Sequence, residues 1–484
     1  MYPTNKTLVL TSFVVIAFNI QAESHQKQLH PNLVIIISDQ FRGQALGNLR
    51  FEKTHTPNLD YLASKGVNFT NASSCYPLSS PARAMLMTGM YPFSNHVVGN
   101  CNSENTPYNV ELSQDAVCWS DILKQQGYST GYIGKWHLDA PHKPYVNTSN
   151  NKGKVAWNEW CPPSRRHGFE YWMAYGTYDI HLNPMYWATN TPRDSFFYVN
   201  EWEPQYDADK AIDYINNKNN VRKQGYPFAL VISMNPPHTV YSQVPNKYIN
   251  IYKNVNVETL INQPDVPIKG TKWGNFYREN IKDYYACIAG VDEQIGRIIS
   301  VLKKKHLFNN TIVVFVSDHG DCIGIHGEES KNNPYEEAMR TPLIITYPKE
   351  IKPRIDNTLL IGMQDLYPTV LSLMGFEHLI PSTVQTNNLA KAVKGEKQKL
   401  PIFMPYYQIA AADSLTGWRG IRTLRYTLAI EFKHGKRIKT LLFDRKKDPF
   451  EMNNLNNDSI LLKQQTNILR YWLIKQKDPL RNNL

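Results

Sequence analysis

The sequence has few of the features that mark several classes of protein. Its 484 residues contain only six cysteines, none in C-x-x-C spacing, so the cysteines do not predict a zinc site. There is no internal repeat and no low-complexity linker. After the first 22 residues, no apolar stretch is long enough to cross a membrane. The composition is that of an ordinary globular protein, long enough for several domains or for one large α/β domain with an appendage.

Acidic residues are outnumbered by basic ones. The chain has 53 Lys and Arg against 42 Asp and Glu, which gives a formal net charge of +11. Part of the excess lies in residues 433–447, which form either a solvated basic hairpin or a surface that attracts a polyanion. Because no recognised nucleic-acid motif accompanies the charge, we predict no nucleic-acid partner.

Residues 1–22 are predicted to be a signal peptide. Lys6 supplies the positive charge, residues 8–20 are apolar, and Ala22 offers a small residue before a cleavage site. The alternative is an uncleaved N-terminal anchor. A periplasmic or secreted protein is therefore expected, in which disulfides are permitted but their pairing cannot be read from the sequence.

Three apolar, β-branched runs predict fully buried strands at residues 32–38, 228–233 and 312–317. Helical patterns lie between them, including residues 57–65, 120–126 and 284–304. This alternation predicts an α/β fold with a parallel or mixed sheet covered on both faces. From about residue 395 the strands become shorter and end in a helix near residues 460–475. We therefore predict a main domain over residues 30–394 and a smaller C-terminal subdomain over residues 395–484.

The most informative segment runs from Ser79 to Gly89 with the sequence SSPARAMLMTG. Ser79 and Ser80 are suitable N-cap residues, Pro81 fits the first helical position and Gly89 fits the end of a helix. A short helix over about residues 81–88 is predicted. The start of such a helix favours bound anions because its first N–H groups are free.

This segment fits the pattern [C/S]-x-P-x-R-x-x-L-x-T-G and resembles the signature of the type I sulfatases. In that family the first residue of the pattern is oxidised after translation to Cα-formylglycine. The resemblance implies that Ser79 is the residue converted and that Arg83 positions the product. Because a serine is encoded, it also implies a radical-SAM maturase. Cys75 is not followed by an arginine at the required offset, so it is not the modified residue.

The modification has a chemical reason. A serine that attacked sulfur would leave a stable sulfate ester. A hydrated aldehyde carries two hydroxyls on one carbon, so one can attack sulfur while deprotonation of the other expels sulfate. This is covalent catalysis that splits one difficult step into two easier ones.

Polar residues follow two of the predicted strands and form a candidate metal site. Asp39 and Gln40 follow the first strand, and Asp318 and His319 follow the third. Ligand sites of open α/β sheets lie at such strand ends, and oxygen-rich sets favour hard cations. We expect one Ca²⁺ per chain. The resemblance implies that it also binds the group derived from Ser79. Gln40 stands where a second aspartate is commoner in the family, and His319 where an asparagine is commoner.

Three further segments resemble sulfatase motifs. They are the G-K-W-H segment at residues 134–137, the P-P-H segment at 236–238, and the G-x-H-G…K…Y-E-E block at 324–337. The resemblance implies that Lys135 and Lys331 bind sulfate as point charges. It implies that His137 takes a proton from the formylglycine hydrate and that His238 protonates the leaving alcohol or holds the bridging oxygen.

Sugar-binding residues are expected in a long loop that mixes basic, imidazole and aromatic side chains. We predict Arg165 and His181 there, and Arg419 from the C-terminal subdomain, as possible contacts to a sulfated sugar. The alternative is a structural role, in which the aromatic residues around them pack a subdomain interface.

The resemblance extends over most of the chain. It implies an alkaline-phosphatase-like mixed sheet between helices, with a smaller antiparallel C-terminal subdomain. The implied reaction is hydrolysis of a sulfate monoester by S–O cleavage, on a sulfated carbohydrate. A formylglycine-dependent phosphodiesterase or phosphonate hydrolase is one alternative. A glycan-binding relative without catalysis is the other, and the presence of Lys135, His137, His238 and Lys331 argues against it.

Overall fold

The computed structural model describes residues 30–484. The predicted signal peptide lies outside the described residues. Within them the strands are β1 Asn32–Ser38, β2 Val67–Phe69, β3 Ser129–Lys135, β4 Tyr171–Tyr175, β5 Met185–Ala188, β6 Phe197–Tyr198, β7 Phe228–Met234, β8 Thr311–Val316, β9 Leu343–Thr346, β10 Arg354–Asp356, β11 Met404–Ala410, β12 Asp413–Arg422, β13 Tyr426–Lys433 and β14 Lys436–Asp444.

The α-helices alternate with the strands of the main domain and end the chain. They are α1 Pro57–Ala63, α2 Ser79–Thr88, α3 Pro92–Asn95, α4 Trp119–Gln125, α5 Glu203–Ile215, α6 Asn246–Tyr252, α7 Lys272–Lys304, α8 Glu336–Met339, α9 Leu366–Leu373, α10 Ala390–Lys394 and α11 Ser459–Lys475.

The main sheet has ten strands in the order β10-β2-β9-β8-β1-β7-β3-β4-β5-β6. β1 is central and pairs in parallel with both β7 and β8, and β3 is parallel to β7. β9 runs antiparallel to β8, so the sheet is mixed. All residues of β1, β7 and β8 are buried, as their continuous apolar sequences predicted.

Helices cover both faces of this sheet. Leu33, Ile35 and Ile37 of β1 belong to the core cluster shared with α2, α4 and α9. Val34 and Ile36 point to the opposite face and pack with α1, α5 and α7. Because alternate strand residues point to opposite faces, one strand serves two cores. The predicted α/β architecture is confirmed.

The C-terminal part is an antiparallel meander, β11-β12-β13-β14, followed by α11. Leu469 and Leu473 of α11 pack with sheet residues and with Met85 of α2. Helix α2 therefore lies between the main sheet and the C-terminal sheet. The small sheet and α11 fall within the predicted subdomain, whose boundary at residue 395 stays a prediction.

α7 and β3 are among the elements that differ from the sequence-based expectation. α7 begins at Lys272, twelve residues before the predicted start, and its first turns already bury Gly274, Tyr277 and Ile281 at helical spacing. β3 was not predicted, since its sequence STGYIGK contains two glycines. A Cβ at Gly134 would lie 2.2 Å from the Ser233 carbonyl oxygen. β3 therefore lies so close to β7 at this position that only glycine fits.

All six cysteines lie among the described residues, where they are buried and free. No helix of residues 30–484 is long and apolar enough to cross a membrane.

Candidate active site

The active-site cluster forms at the carboxyl ends of four adjacent strands in the middle of the main sheet. β8, β1, β7 and β3 are neighbours and run in parallel, so their carboxyl ends lie side by side. Asp318, Asp39, Asn235 and Lys135 follow or end these four strands in that order. The strand topology therefore brings together side chains that are separated by up to 279 residues in sequence.

Helix α2 places Ser79 in this cluster. The Ser79 Oγ lies 3.3 Å from Asp39 Oδ2 and 3.1 Å from His319 Nε2. The helix begins at Ser79 itself and has Leu78 as its N-cap residue, without a side-chain cap. The predicted capping role of Ser79 is therefore wrong, because its hydroxyl is used in the active site.

Arg83 lies one helical turn after Ser79 and bonds to residues at the ends of four strands. Its Nε is 3.1 Å from Asp318 Oδ2 and its Nη2 is 3.1 Å from Asp39 Oδ2. Its Nη1 donates to the Lys135 carbonyl at 2.9 Å and to the Ser233 hydroxyl at 2.6 Å. Burial alone would lower the pKa of this guanidinium, but the two carboxylates raise it above its ordinary value. Arg83 is thus a fixed cation that orients both aspartates.

Asp39, Asp318 and His319 present ligand atoms that all lie within 4.8 Å of one another. His319 Nδ1 lies 3.0 Å from the Gly320 carbonyl oxygen and so carries the proton, which leaves Nε2 unprotonated beside the Ser79 hydroxyl and able to bind a metal ion. Asp39 Oδ1 is buried without a hydrogen-bond partner. An unpaired carboxylate oxygen, a second carboxylate and an oriented imidazole fit a divalent cation.

Gln40 lies beside this group, but its side chain turns elsewhere. Its backbone N–H is 3.3 Å from Asp318 Oδ1, whereas its Nε2 donates to Asp321 Oδ2 at 2.6 Å. Its Oε1 accepts a hydrogen bond from Lys331 Nζ. The structure thus connects Gln40 to Lys331, and the role of Gln40 as a metal ligand stays a prediction.

Two lysines from different segments of the chain lie in the cluster. Lys135 Nζ lies 2.7 Å from Asp39 Oδ2 and donates to Asn235 Oδ1 at 2.9 Å. Lys331 Nζ lies 2.6 Å from His238 Nε2. Burial would raise the pKa of Asp39, but Lys135 and the other cationic groups around it hold that pKa well below its usual range. The site is therefore positively charged around an ionised carboxylate.

His137 is buried, and neither of its ring nitrogens has a hydrogen-bond partner. Burial, together with the nearby cations Lys135 and Arg83, lowers the pKa of His137 well below its ordinary value. Its backbone has a positive φ of 54°. A neutral imidazole without partners is available to accept a proton from a group bound in the site.

His238 has a defined tautomer. Because the lysine ammonium can only donate, His238 Nε2 accepts from Lys331, and its Nδ1–H donates to the Thr239 carbonyl oxygen at 3.0 Å. Burial, then Lys331 and Lys135, lower the pKa of His238 well below its ordinary value.

The structure gives His181 a role different from the predicted sugar contact. Its side chain is fully buried beneath the His238 segment. Its Nδ1 is 3.0 Å from Glu203 Oε2, and its Nε2 is 3.2 Å from the His238 carbonyl oxygen. Since both nitrogens face acceptors, the ring is an imidazolium that positions the backbone of His238.

Arg419 and Arg165 are also engaged within the protein. Arg419 is fully buried and pairs with Asp478 at 2.7 Å, so it does not face a ligand. The predicted sugar contact of Arg419 is therefore wrong, and its role is structural. Arg165 is partly exposed beside Asp139 and lines a surface cleft of about 290 Å³ with His142, Trp160 and Arg193. It remains a candidate for sugar binding.

Sequence reasoning missed the residues that hold the catalytic groups. Asn235 holds Lys135, Asp321 holds Gln40, and Glu203 accepts from the Asn235 backbone N–H at 2.9 Å. Asn235 and Asp321 lie within or next to motif segments, which was an available signal. Glu203 begins a helix far from any motif, and nothing in the sequence marked it.

A model of the sulfatase family matches residues 31–376, which is most of the chain. The chain belongs to the sulfatase family. A second model, of the C-terminal region of N-sulphoglucosamine sulphohydrolase, matches residues 324–477.

This sulfatase resembles characterised relatives along nearly its whole length. A Bacteroides thetaiotaomicron protein named endo-4-O-sulfatase is 36% identical, with 93% of this chain and 92% of the relative covered. A Formosa agariphila ulvan-active sulfatase is 31% identical, with 90% and 78% covered. A solved structure of the candidate sulfatase YidJ from Bacteroides fragilis is 57% identical, with a TM-score of 0.91, covering 94% of this chain and 98% of the other. The sulfatase is a sulfuric ester hydrolase with the expected alkaline-phosphatase-like fold.

Proposed function

We propose that this enzyme hydrolyses sulfate esters of glycans through a formylglycine formed from Ser79. The observation that carries the proposal is the position of the Ser79 Oγ, between Asp39 Oδ2 and His319 Nε2 and one helical turn from Arg83. Once formed, the hydrated aldehyde carries a second hydroxyl on the same carbon, which serine lacks, and deprotonation of that hydroxyl allows sulfate to be expelled as the aldehyde re-forms. The serine in the motif supports a radical-SAM maturase as partner, and the N-terminal sequence supports export to the periplasm or the medium.

We also propose one Ca²⁺ per chain, held by Asp39, Asp318 and His319, with Gln40 and the modified Ser79 as further ligands. The carboxylates, the free imidazole nitrogen and the unpaired Asp39 Oδ1 support this assignment. When bound, the cation supplies positive charge that stabilises the anionic sulfate. Lys135 is already hydrogen-bonded by Asn235 and needs little reorganisation to donate to a sulfate oxygen.

His137 and His238 carry out different proton transfers in the proposed reaction. His137 has no partner and a lowered pKa, so at neutral pH it is neutral and can take a proton from the hydrate. His238 lies on the other side, with Lys331 donating to its Nε2. A negative sulfate placed beside this pair favours the protonated imidazole, because opposite charge raises the pKa of a histidine. Lys331 and His238 together can then deliver a proton to the departing alcohol.

The proposed substrate is a sulfated galactose or N-acetylgalactosamine unit in a polysaccharide. The relatives named endo-4-O-sulfatase and ulvan-active sulfatase support a polymeric substrate, and the first favours a 4-O-sulfate. The cleft next to Asp139 follows the Lys135–His137 segment directly and carries basic and aromatic side chains from His142, Trp160 and Arg165. This mixture suits a neighbouring sugar residue.

The test is a rate comparison on the matured enzyme. Defined saccharides sulfated at the 2-, 4- or 6-position are compared with an aryl sulfate and the matching aryl phosphate. We expect the 4-O-sulfated saccharide to have the highest kcat/KM and the aryl phosphate to be a poor substrate. An aryl phosphate that reacts faster than every sulfate ester would instead support a phosphodiesterase.

The cleft is tested by substituting an exposed residue outside the chemical centre. His142→Ala is expected to raise KM on the saccharide several-fold, with little effect on the aryl sulfate, because only the longer substrate reaches the cleft. His378→Ala, at an exposed histidine elsewhere, is the matched control. Equal losses on both substrates would contradict sugar binding in this cleft.

A further inference from the structure

Three side chains outside the active-site cluster converge from separate segments of the chain. Asp265 precedes α7, His326 lies in the turn after β8, and Glu337 lies in α8. One ligand atom from each lies within 4.8 Å of the others, and His326 Nε2 is 3.2 Å from Glu337 Oε2. His326 and Glu337 belong to motif segments that the catalytic mechanism leaves without a role.

The atoms that converge are buried and face one another instead of the rest of the protein. His326 Nε2 lies 3.2 Å from Glu337 Oε2, and neither these two atoms nor the carboxylate oxygens of Asp265 have a hydrogen-bond partner outside the group. Both the Glu337 and the His326 side chains are at least nine-tenths buried. Native proteins leave few buried polar atoms unsatisfied, so four such atoms at one point indicate a missing partner.

Another group of three potential metal ligands provides a contrast. Cys118, Asp121 and His167 are equally close together. There, however, Asp121 Oδ2 accepts from the Cys118 backbone N–H at 2.9 Å, and His167 Nδ1 faces the Ala116 carbonyl oxygen at 3.1 Å. Proximity alone therefore does not distinguish the two groups, but hydrogen bonding does.

The surroundings of the unpaired group are acidic. Glu451 lies nearby, and its Oε1 is also buried without a partner. Burial and the Glu336 and Glu337 carboxylates raise the pKa of Glu451 to about 8, and burial and Glu337 raise the pKa of Asp265 to about 7. Arg340, Arg422 and Arg445 are the nearby cations, and all three pair with Glu336. His326 is therefore the cationic partner left for the carboxylates of Asp265 and Glu337.

We propose that Asp265, His326 and Glu337 form a second cation site that binds Zn²⁺. One imidazole nitrogen and two carboxylates are the three protein ligands of an open zinc site. Calcium takes about six to eight ligands, and the further oxygens that Gln40 and the modified Ser79 would supply at the catalytic cluster have no counterpart in this group. The site contains no cysteine, so the cysteine spacing of the sequence gave no sign of it.

The proposed ion would fix the loop that carries a catalytic residue. His326 has a positive φ of 58°, and five residues later Lys331 contacts Gln40 and His238. Linking His326 to Asp265 and Glu337 would tie that loop to α8 and to the segment before α7. This positioning role rests on the proposed function, whereas the binding site itself does not.

The experiment measures zinc bound to the full chain carrying Ser79→Ala, which cannot turn over, with excess calcium present to fill the catalytic cluster. Isothermal titration and elemental analysis are expected to give one zinc per chain. H326Q and E337Q should each weaken zinc binding at least tenfold. H434Q, which alters an exposed histidine paired with Asp413, is the matched control and should bind zinc normally.

A second measurement is independent of the variants. Zinc should raise the melting temperature of the unsubstituted chain, because a ligand bound only by the folded state stabilises it. The proposal is overturned if the calcium-loaded protein binds no zinc, or if H326Q and E337Q bind it as tightly as H434Q. Either result would mean that the three side chains share protons instead of a metal ion.

Discussion

Two regions of this sulfatase bury charged side chains in opposite ways. In the C-terminal subdomain, Arg419 pairs with Asp478 and donates further bonds to the carbonyl oxygens of Gln408, Trp418 and Ser414. At the catalytic edge, Asp39 Oδ1 and both nitrogens of His137 are buried without any hydrogen bond. Both sets of side chains are excluded from solvent, but only the Arg419–Asp478 pair has its polar atoms satisfied.

The difference separates groups that hold structure from groups that await a ligand. A buried charge with all its partners contributes to a fixed geometry, whereas an unpaired polar atom costs stability until something binds it. The same criterion assigns His181 to structure, since both of its nitrogens have partners. Substitutions in the two regions should accordingly affect different quantities.

The largest expected effect is at Ser79. Ser79→Ala should reduce kcat on any sulfate ester by roughly 10⁴-fold or more while the melting temperature stays close to that of the native enzyme, because the nucleophile is lost without disturbing the core. Mass spectrometry of the native protein should show Ser79 lighter by two hydrogens. Ser80→Ala removes only an acceptor for the Cys101 backbone N–H and should stay active. An active enzyme with wholly unmodified Ser79 would refute the mechanism.

His137 is expected to show the next largest effect. His137→Ala should lower kcat by about 10²- to 10⁴-fold, the usual contribution of a general base, without destabilising the fold, since no hydrogen bond is lost. Steady-state kinetics and thermal unfolding measure the two quantities. A variant that loses stability but keeps its kcat would place His137 among the structural groups.

Arg419 should behave in the reverse way. Arg419→Met leaves Asp478 buried without its partner and should lower the free energy of unfolding by about 3–5 kcal/mol, with kcat per folded molecule unchanged. The double variant Arg419→Met/Asp478→Leu should recover much of this loss, because no buried charge remains unpaired. Denaturant unfolding tests both. A large drop in saccharide turnover at full stability would restore the sugar-binding hypothesis.

The smallest effect is expected at His181 and depends on pH. Burial opposes the charged ring, but Glu203 raises the pKa of His181 above its ordinary value. Its stabilisation is therefore complete below about pH 6.5 and is lost as pH rises through the higher folded-state pKa. His181→Gln should cost about 2 kcal/mol at pH 6 and less at pH 9, as measured by urea unfolding. A cost independent of pH would mean that the ring is neutral.

The sequence anticipated the parts of the site that lie in compact motifs. The buried strands β1, β7 and β8 follow from continuous apolar runs, and Asp39, Asp318 and Ser79 follow from motifs beside them. β3 escaped prediction because its glycines are poor strand formers, and its place is set by close contact with β7. The expectation for Arg419 failed because a sequence does not show whether an arginine has a buried carboxylate as its partner.

By itself, the amino-acid sequence determined the family of this protein, the residues of its motifs, which side chains carry charge and which apolar runs enter the sheet. These are local properties, since hydrophobic pattern and motif spacing are read over a few residues. The tertiary structure alone decided which polar atoms have partners. That depends on contacts such as Glu203 with Asn235, or Asp265 with His326 and Glu337, between segments far apart in the chain. The packing of the whole fold fixes whether each buried group is already satisfied or remains free to bind.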